Sequence, residues 1–353
     1  MKNNNKFNVL DLFSGCGGLS AGFLNEGYNI IAGIDLNDEA IETFNYNFPG
    51  SEGIVADLSD IDLFESQFFK SLLKYKINVI VGGPPCQGFS IAGKRIMNDP
   101  RNKLYRAYFN FIKSFNPEIV LMENVPTLVN MYNGAVFNNI ISDLEEFGYH
   151  VKHFILNSAD YGVPQLRKRV FILGVKNGRK FYLPKPDTVF NHITTKMAIS
   201  DLPLLENELG TDVAYYPVDS ETDYQKAMRN GSVKLFNHWK VEHKQKTIDI
   251  IKLVPDGGNY KNLPVELQQT RKVNIAWTRM NSKKPCFTID AGHNHHFHYK
   301  ANRVPTVREC ARIQSFPDTF RFFGKKTSQY RQVGNAVPPI LAGKIARSII
   351  EVL

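Results

Sequence analysis

The sequence predicts an α/β fold: a doubly wound, mostly parallel sheet joined to a smaller, irregular second domain. Three observations carry this. Apolar strand-like runs alternate with amphipathic helical stretches up to about residue 175. Turns rich in glycine or proline follow several of those runs, as at Gly15, Gly17 and Gly18 or at Pro84 and Pro85. The alternation then breaks near Phe181 and returns at Arg303. Strands separated by helical crossovers imply parallel neighbours covered on both faces.

Taken in order, the expected strands are residues 7–13, 30–35, 51–57, 78–82, 119–123, 150–156 and 170–175. Among the helices between them, 135–147 is the clearest. Val136, Phe137, Ile140, Ile141, Leu144 and Phe147 follow a 3.6-residue period, and Gly148 stands at the stop. From 181 to 302 the periods are short, with prolines and polar loops, and a final helix is expected over 339–352. One domain of residues 1–180 plus 303–353 and a second of 181–302 follow from this pattern.

Composition bounds the function. The chain has 353 residues, 43% hydrophobic and 22% charged, as expected of a soluble globular enzyme of two domains. No run approaches the roughly 18 apolar residues of a membrane span. The first residues lack an apolar signal core, so a cytoplasmic location is expected. Lys and Arg total 43 against 34 acids, a formal charge of +9. The excess is concentrated: residues 226–300 hold fourteen Lys/Arg and five acids, whereas 187–223 hold eight acids. Both a nucleic-acid surface and a solvated basic face satisfy that stretch. Cys16, Cys86, Cys286 and Cys310 lie far apart without a C-x-x-C pair, which argues against a zinc site or a disulfide framework.

The chemistry-bearing residues cluster at expected strand ends. Asp11-Leu-Phe-Ser-Gly-Cys-Gly-Gly-Leu19 closes the first strand, where small residues let a backbone approach a ligand at a helix start. Ser20 breaks the G-x-G-x-x-G form. Asp35 ends the next strand, where a carboxylate can bind ribose hydroxyls, and Asp57 ends the third, where it can meet an adenine edge. These features alone indicate a nucleoside-type cofactor or a tight strand-to-helix turn. The fourth strand runs into Gly82-Gly-Pro-Pro-Cys86-Gln-Gly-Phe-Ser90, a thiol on a proline-stiffened, exposed loop. The fifth ends in Glu123-Asn-Val-Pro126. A cysteine and three carboxylates on one sheet edge point to an active site. Gln165-Leu-Arg167-Lys-Arg169 precedes the last strand, and alternation places Arg167 and Arg169 on one face, for catalysis or for surface salt bridges.

With these residues in place, the chain resembles the cytosine-5 DNA methyltransferase family, of bacterial restriction-modification type, over nearly its whole length. The loop from Phe13 to Leu19 is similar to the family's S-adenosylmethionine loop. Pro84-Pro-Cys86-Gln87 resembles the nucleophile motif, Glu123-Asn-Val125 the base-binding motif, and the segment from Gln165 to Arg169 the arginine motif. Arg308 to Asp318 and Gln332 to Pro339 match two C-terminal motifs. The resemblance implies a Rossmann-like, class I S-adenosylmethionine-dependent catalytic domain and makes 181–302 the target recognition domain. It also implies that the final helix returns to the first domain. Phe13, Ser14, Gly15, Gly17, Gly18, Leu19, Asp35, Leu36, Asp57, Leu58, Pro84, Leu104, Asn335 and Ala336 would meet the cofactor.

The chemistry explains the set. C5 of cytosine is a poor nucleophile, and thiolate addition at C6 turns the ring into an enamine. Cys86 is the expected nucleophile, in an electropositive, accessible place. Glu123 would hold N3 and the 4-amino group, Arg169 would meet O2, and Arg167 would steady the loop or a phosphate. The target must leave the stack of double-stranded DNA. The loop after Cys86 is suited to closing over it, and Gln87, Ser90 and Thr288 are expected DNA contacts. The run from His293 to His298 fits groove or phosphate contacts better than a metal, for want of a completing Cys or acid; no metal is expected to take part. A monomer is expected, with a cognate restriction endonuclease as a possible companion. The alternatives are a tRNA cytosine-5 methyltransferase, which Cys286-Phe-Thr288 resembles locally, and a catalytically silent DNA-binding protein. A nicotinamide dehydrogenase would explain neither Cys86 nor Arg169.

Overall fold

A computed structural model describes residues 7–85, 103–176, 178, 181–268, 277–290, 296–350 and 353. The chain forms two compact units. One comprises Met1–Asn157, Lys168–Lys185 and Ala342–Leu353; the other comprises Ser158–Arg167 and Pro186–Leu341.

In the first unit the chain runs β1 (Asn8–Leu12), α1 (Gly18–Asn25), β2 (Asn29–Asp35), α2 (Asp38–Asn47), β3 (Glu52–Val55), α3 (Gln67–Leu72), β4 (Val79–Gly82), α4 (Lys103–Phe115), β5 (Ile119–Asn124), α5 (Ala135–Glu146), β6 (His150–Asn157) and β7 (Lys168–Val175). All seven expected strands are present with bounds within two residues of expectation. They form one sheet in the order β3-β2-β1-β4-β5-β7-β6. The first five strands are parallel, and β7 is antiparallel to both β5 and β6. The inner strands β4 and β5 are buried along their whole length, as expected where helices cover both faces. Polar residues are tolerated on the edge strand β6, where every position but Leu156 is exposed or half-buried.

Helical packing follows from the sequence periods. The apolar face of α5, with Val136, Phe137, Ile140 and Leu144, joins Tyr105, Tyr108, Phe111 and Ile112 of α4 in one core beneath the sheet. Asn37 caps α2 by accepting from the Ala40 N–H at 2.8 Å, and Asp38 and Glu39 in its first turn favour the helix dipole. Of the last helix, α12 (Pro339–Ile350), the residues from Ala342 onward belong to this unit. There it lies so close to α1 that a Cβ on Gly22 would overlap the Cβ of Ala342 and the backbone nitrogen of Gly343. The Tyr28 hydroxyl donates to the Ala346 carbonyl at 2.9 Å.

The second unit contains α6 (Thr195–Ile199), β8 (Gly210–Tyr215), α7 (Asp223–Arg229), β9 (Lys234–Trp239), α8 (Gln245–Lys252), α9 (Val265–Gln268), β10 (Thr278–Arg279), β11 (His296–Phe297), α10 (Val307–Ile313), α11 (Lys326–Asn335) and the start of α12 (Pro339–Ile350). Ile250, Ile251, Val254, Leu263, Trp277, Phe297 and Val304 form its own apolar cluster. Residues 303–341, expected with the first domain, pack here instead. The cause is a set of buried arginines whose partners lie in this unit. Arg303 forms a two-pronged pair with Glu309 at 2.7 and 2.8 Å. Arg312 reaches Asp201 at 3.1 Å and Asp318 at 2.5 Å, and Arg308 donates to the carbonyls of Phe236 and Pro317.

Candidate active site

Five parallel strands bring their carboxyl ends to one rim of the sheet. Because the strand order reverses between β1 and β4, a crevice is expected there. The antiparallel strand β7 brings its amino end to the same rim: Asn124 pairs with Val170, so Arg169 lies just beyond the end of β5. This topology explains how a residue before a strand joins residues that follow strands.

The loop after β1 turns tightly. Phe13, Gly15 and Gly17 all have left-handed backbone, with φ of 58°, 53° and 93°. Gly17 is required twice over, since a Cβ there would also overlap the rings of Phe48 and Phe44. The Ser14 N–H donates to the Ile34 carbonyl at 3.0 Å. Asp35 anchors the turn from β2: its carboxylate accepts from the Gly15 N–H at 2.8 Å and the Asn37 N–H at 2.9 Å. The expected ribose ligand therefore also holds the glycine loop in place. Gly18 and Leu19, the first residues of α1, are buried, whereas Leu36 is exposed.

Asp57 lies two residues beyond the end of β3 and accepts from the N–H and hydroxyl of Ser59 at 2.8 and 2.7 Å. Leu58 is buried in the core. Leu104 is half-buried near the start of α4.

Glu123 and Arg169 form an ion pair, Nε to Oε1, at 2.9 Å. Their side chains are only 11% and 16% exposed, so water screens the pair weakly. Asn124 donates from its side-chain amide to the Pro84 carbonyl at 2.8 Å. A Cβ on Gly83 would stand 3.1 Å from Oε2 of Glu123. The Gly83-Pro84 backbone that leads into Cys86 is thus held beside the Glu123 carboxylate. Cys86, Gln87 and Ser90, like the expected closing loop and His293, lie outside the described residues.

The other expected residues lie elsewhere. Arg167 is buried in the second unit, before β7 begins at Lys168, so it does not share a strand face with Arg169 as alternation had placed it. Thr288 is exposed in the second unit, and its hydroxyl donates to the Leu166 carbonyl at 2.8 Å. Asn335 ends α11 in that unit, with Ala336 following it. His298 departs from the groove or phosphate role given to its cluster. It is 2% exposed, accepts from the N–H groups of Lys300 and Ala301, and burial pushes its pKa down to about 3.

Asp11 and Asn124 belong to the glycine-loop and Glu-Asn-Val motifs, and the structure adds both to the site. Asp11 is fully buried in β1, and its Oδ2 accepts from the Ser20 hydroxyl of α1 at 2.6 Å. Burial pushes its carboxyl up to about 7. The signal available for Asp11 was an acid between two leucines of a buried strand.

The family model for C-5 cytosine-specific DNA methylase matches residues 7–351. The chain is 38% identical to the type II methyltransferase M.DdeI of Desulfomicrobium norvegicum, over 97% of this chain and 88% of that protein. It is 35% identical to the type II methyltransferase M1.HphI of Haemophilus parahaemolyticus, over 97% and 86%. A crystal structure of a candidate DNA modification methyltransferase encoded within an E. coli prophage matches with a TM-score of 0.81 at 26% identity, covering 98% of this chain and 99% of that one. The S. pombe Dnmt2 methyltransferase, at 19% identity and a TM-score of 0.61 over 98% and 99% of the two chains, shares the fold. A glycine loop pinned by Asp35, and a Glu–Arg pair beside the Gly83-Pro84 backbone, thus occur in a chain matched almost end to end, and this protein belongs to the C-5 cytosine-specific DNA methylase family.

Proposed function

We propose that this protein flips a target cytosine out of duplex DNA, adds Cys86 to C6, and methylates C5 with S-adenosylmethionine as the donor. The observation that carries the reading is the Glu123–Arg169 pair at 2.9 Å, set beside the backbone that leads into Cys86.

The rim fits the cofactor. A Cβ built on Gly15 meets nothing within 4 Å, leaving room for a ligand against the loop. Beneath it, the buried Oδ1 of Asp11 has no hydrogen-bond partner among the described residues, which favours a cationic group nearby. Residues 13–19 and Asp35 would hold the bound group, with Leu36, Asp57, Leu58, Pro84 and Leu104 around it. Family resemblance assigns Asn335 and Ala336 to the same ligand. When bound, S-adenosylmethionine supplies an electrophilic methyl carbon.

The chain's own groups do the rest. The Cys86 thiolate adds to C6, and the electron pair of the C5–C6 double bond is released toward C5, with negative charge shared to N3 and O2. Glu123 holds N3 and the 4-amino group, while Arg169 stabilises charge at O2. After C5 is alkylated, loss of its proton returns the electron pair and expels the thiolate, which restores the double bond. Burial of Arg167 supports the role of steadying its own segment rather than meeting a phosphate.

The basic stretch 226–300 would track phosphates, and 181–302 would choose the target sequence, with Thr288 at the bases. The protein would act as a cytoplasmic monomer, alongside a cognate endonuclease where one is encoded. Among the described residues no helix is long and apolar enough to cross a membrane. Duplex DNA carrying 5-fluorocytosine tests the mechanism, because fluorine cannot leave C5 as a cation and elimination stalls. A covalent adduct that forms only with S-adenosylmethionine and survives denaturing electrophoresis is expected. An adduct with fluorinated tRNA and none with duplex DNA would overturn the substrate.

A further inference from the structure

Asp11 lies in β1 between Leu10 and Leu12 and is fully buried, yet only one of its carboxylate oxygens is used. Oδ2 accepts from the Ser20 hydroxyl of α1 at 2.6 Å. Oδ1 has no hydrogen-bond partner, and the side chain forms no ion pair, among the described residues. Its partners in the sheet, Gly33 of β2 and Val81 of β4, offer no side-chain donor. The titratable groups around it supply no positive charge. Asp35 of β2 is a like charge that raises the Asp11 carboxyl further. Cys16 of the glycine loop is buried, and burial above all keeps its thiol protonated. Tyr108 of α4 is likewise kept protonated by burial first and by Asp11 second, and its hydroxyl donates elsewhere, to the Leu121 carbonyl at 3.0 Å.

The bond to Ser20 does not explain an acid here, because an asparagine would accept it equally well and carry no charge into the core. A buried carboxylate ionises readily only beside a positive charge. That charge has to arrive with a bound molecule, and the loop after β1 leaves room for one, since a Cβ on Gly15 meets nothing within 4 Å. The site would hold two sulfur compounds in turn. S-adenosylmethionine carries a sulfonium, and S-adenosylhomocysteine a neutral thioether. Both carry the same ammonium and carboxylate, which offset each other. The sulfonium is therefore the net charge that separates donor from product.

We propose that Asp11 is a cofactor-binding residue that supplies the counter-charge to the donor's sulfonium, so that the donor binds with release of a proton to solvent and the product binds without it. The inference rests on the S-adenosylmethionine reading above. Burial holds the Asp11 carboxyl at about 7 in the cofactor-free chain. Below that pH the carboxyl is protonated, and the donor has to displace the proton; above it the carboxylate is already ionised. Donor affinity therefore weakens as pH falls below about 7, while product affinity stays level.

The test is calorimetry on the full chain at about pH 6, in buffers of different ionisation enthalpy, which counts the protons released on binding. Three probes are compared: S-adenosylmethionine, S-adenosylhomocysteine, and sinefungin, whose protonated amine stands where the donor carries its sulfonium. The wild type should release about 0.5–0.9 proton with the two charged probes and less than about 0.2 with S-adenosylhomocysteine. Between about pH 7 and 5.5 the α-amino group of each probe, with an ordinary value near 8, stays protonated. Across that range the Kd for S-adenosylmethionine should rise about tenfold relative to that for S-adenosylhomocysteine. Asp11→Asn should abolish both effects. Ser20→Ala removes a hydrogen bond that favours the charged form of Asp11. Proton release should then persist with its midpoint moved to higher pH, a displacement that a merely structural Asp11 would not show. Equal release with donor and product, or none with either, overturns the proposal, as does an Asp11→Asn chain that releases protons like the wild type. If Asp11→Asn fails to fold, the wild-type comparison of the three probes and the Ser20→Ala midpoint decide. A chain that binds none of the probes at any pH would instead refute the cofactor reading.

Discussion

Replacing Arg169 by alanine would leave Glu123 in a pocket that is only 11% open to water, facing an empty space where a guanidinium stood at 2.9 Å. Coulomb's law at that distance, with an effective dielectric near 20, gives about 6 kcal/mol as a ceiling. Measured costs of stranding one member of a buried pair run about 3–5 kcal/mol. Since both side chains retain some exposure, about 3 kcal/mol is the expected loss of folding stability, read as a shift in the urea midpoint. Loss of one donor to a developing oxyanion should also lower kcat by about 100- to 1000-fold. A double-mutant cycle separates the two effects. In a Glu123→Gln background there is no stranded charge, so Arg169→Ala should cost less than about 1 kcal/mol of stability. Arg169→Lys keeps the charge but not the planar fork, and should recover most of the stability while kcat stays low. Additive stability losses, or an Arg169→Ala enzyme within threefold of wild-type kcat, would refute the reasoning.

Three further outcomes follow from particular residues. Cys86→Ser should bind S-adenosylhomocysteine within about threefold of wild type while methyl transfer falls below detection, since a serine hydroxyl is not ionised at neutral pH; transfer within tenfold of wild type would end the covalent mechanism. Burial holds the Asp11 carboxyl at about 7, against roughly 3.9 in an unfolded chain. The folded state thus binds the proton more tightly, and the associated stability is fully present below about pH 4 and lost as pH rises through about 7. Asp11→Asn, neutral throughout and still able to accept from Ser20, should gain in melting temperature relative to cofactor-free wild type as pH rises from 5 to 8; a pH-independent difference would contradict this. Gly22→Ala forces a methyl group into the backbone of the last helix and should cost about 1–3 kcal/mol in urea unfolding, whereas Gly27→Ala, at an open position, tests only its left-handed backbone.

The sheet and its rim were legible because their determinants are local. Apolar runs mark β4 and β5, and Asp35, Pro84 and Glu123 sit at or next to the ends of strands that hydrophobic pattern alone locates. Arg169 was legible as a candidate, but the reason it reaches the rim, an antiparallel final strand, is a property of the sheet and not of the segment. Arg167 shows the limit of alternation, which holds only while a strand lasts. The second unit was hardly legible at all. Arg279 there gathers the carbonyls of Ile251, Val254, His298 and Ala301, and Arg312 pairs with Asp201 across 111 residues of sequence. Side-chain bonds of that span replace periodic backbone pairing, so no repeat in the sequence records them. His298 was misleading for a related reason: in sequence it closes a run of histidines, whereas in space its ring lies beside the buried Arg303–Glu309 pair.

Methylation mapping tests the central claim most directly. DNA from cells expressing the protein, and from cells expressing Cys86→Ser, would be read for 5-methylcytosine by bisulfite conversion, with tRNA from the same cells read in parallel. The expected result is 5-methylcytosine at one recurrent duplex sequence in the first culture, none above background in the second, and unchanged tRNA in both. Unmodified DNA together with newly methylated tRNA cytosines, or a DNA pattern that persists in Cys86→Ser, would contradict it.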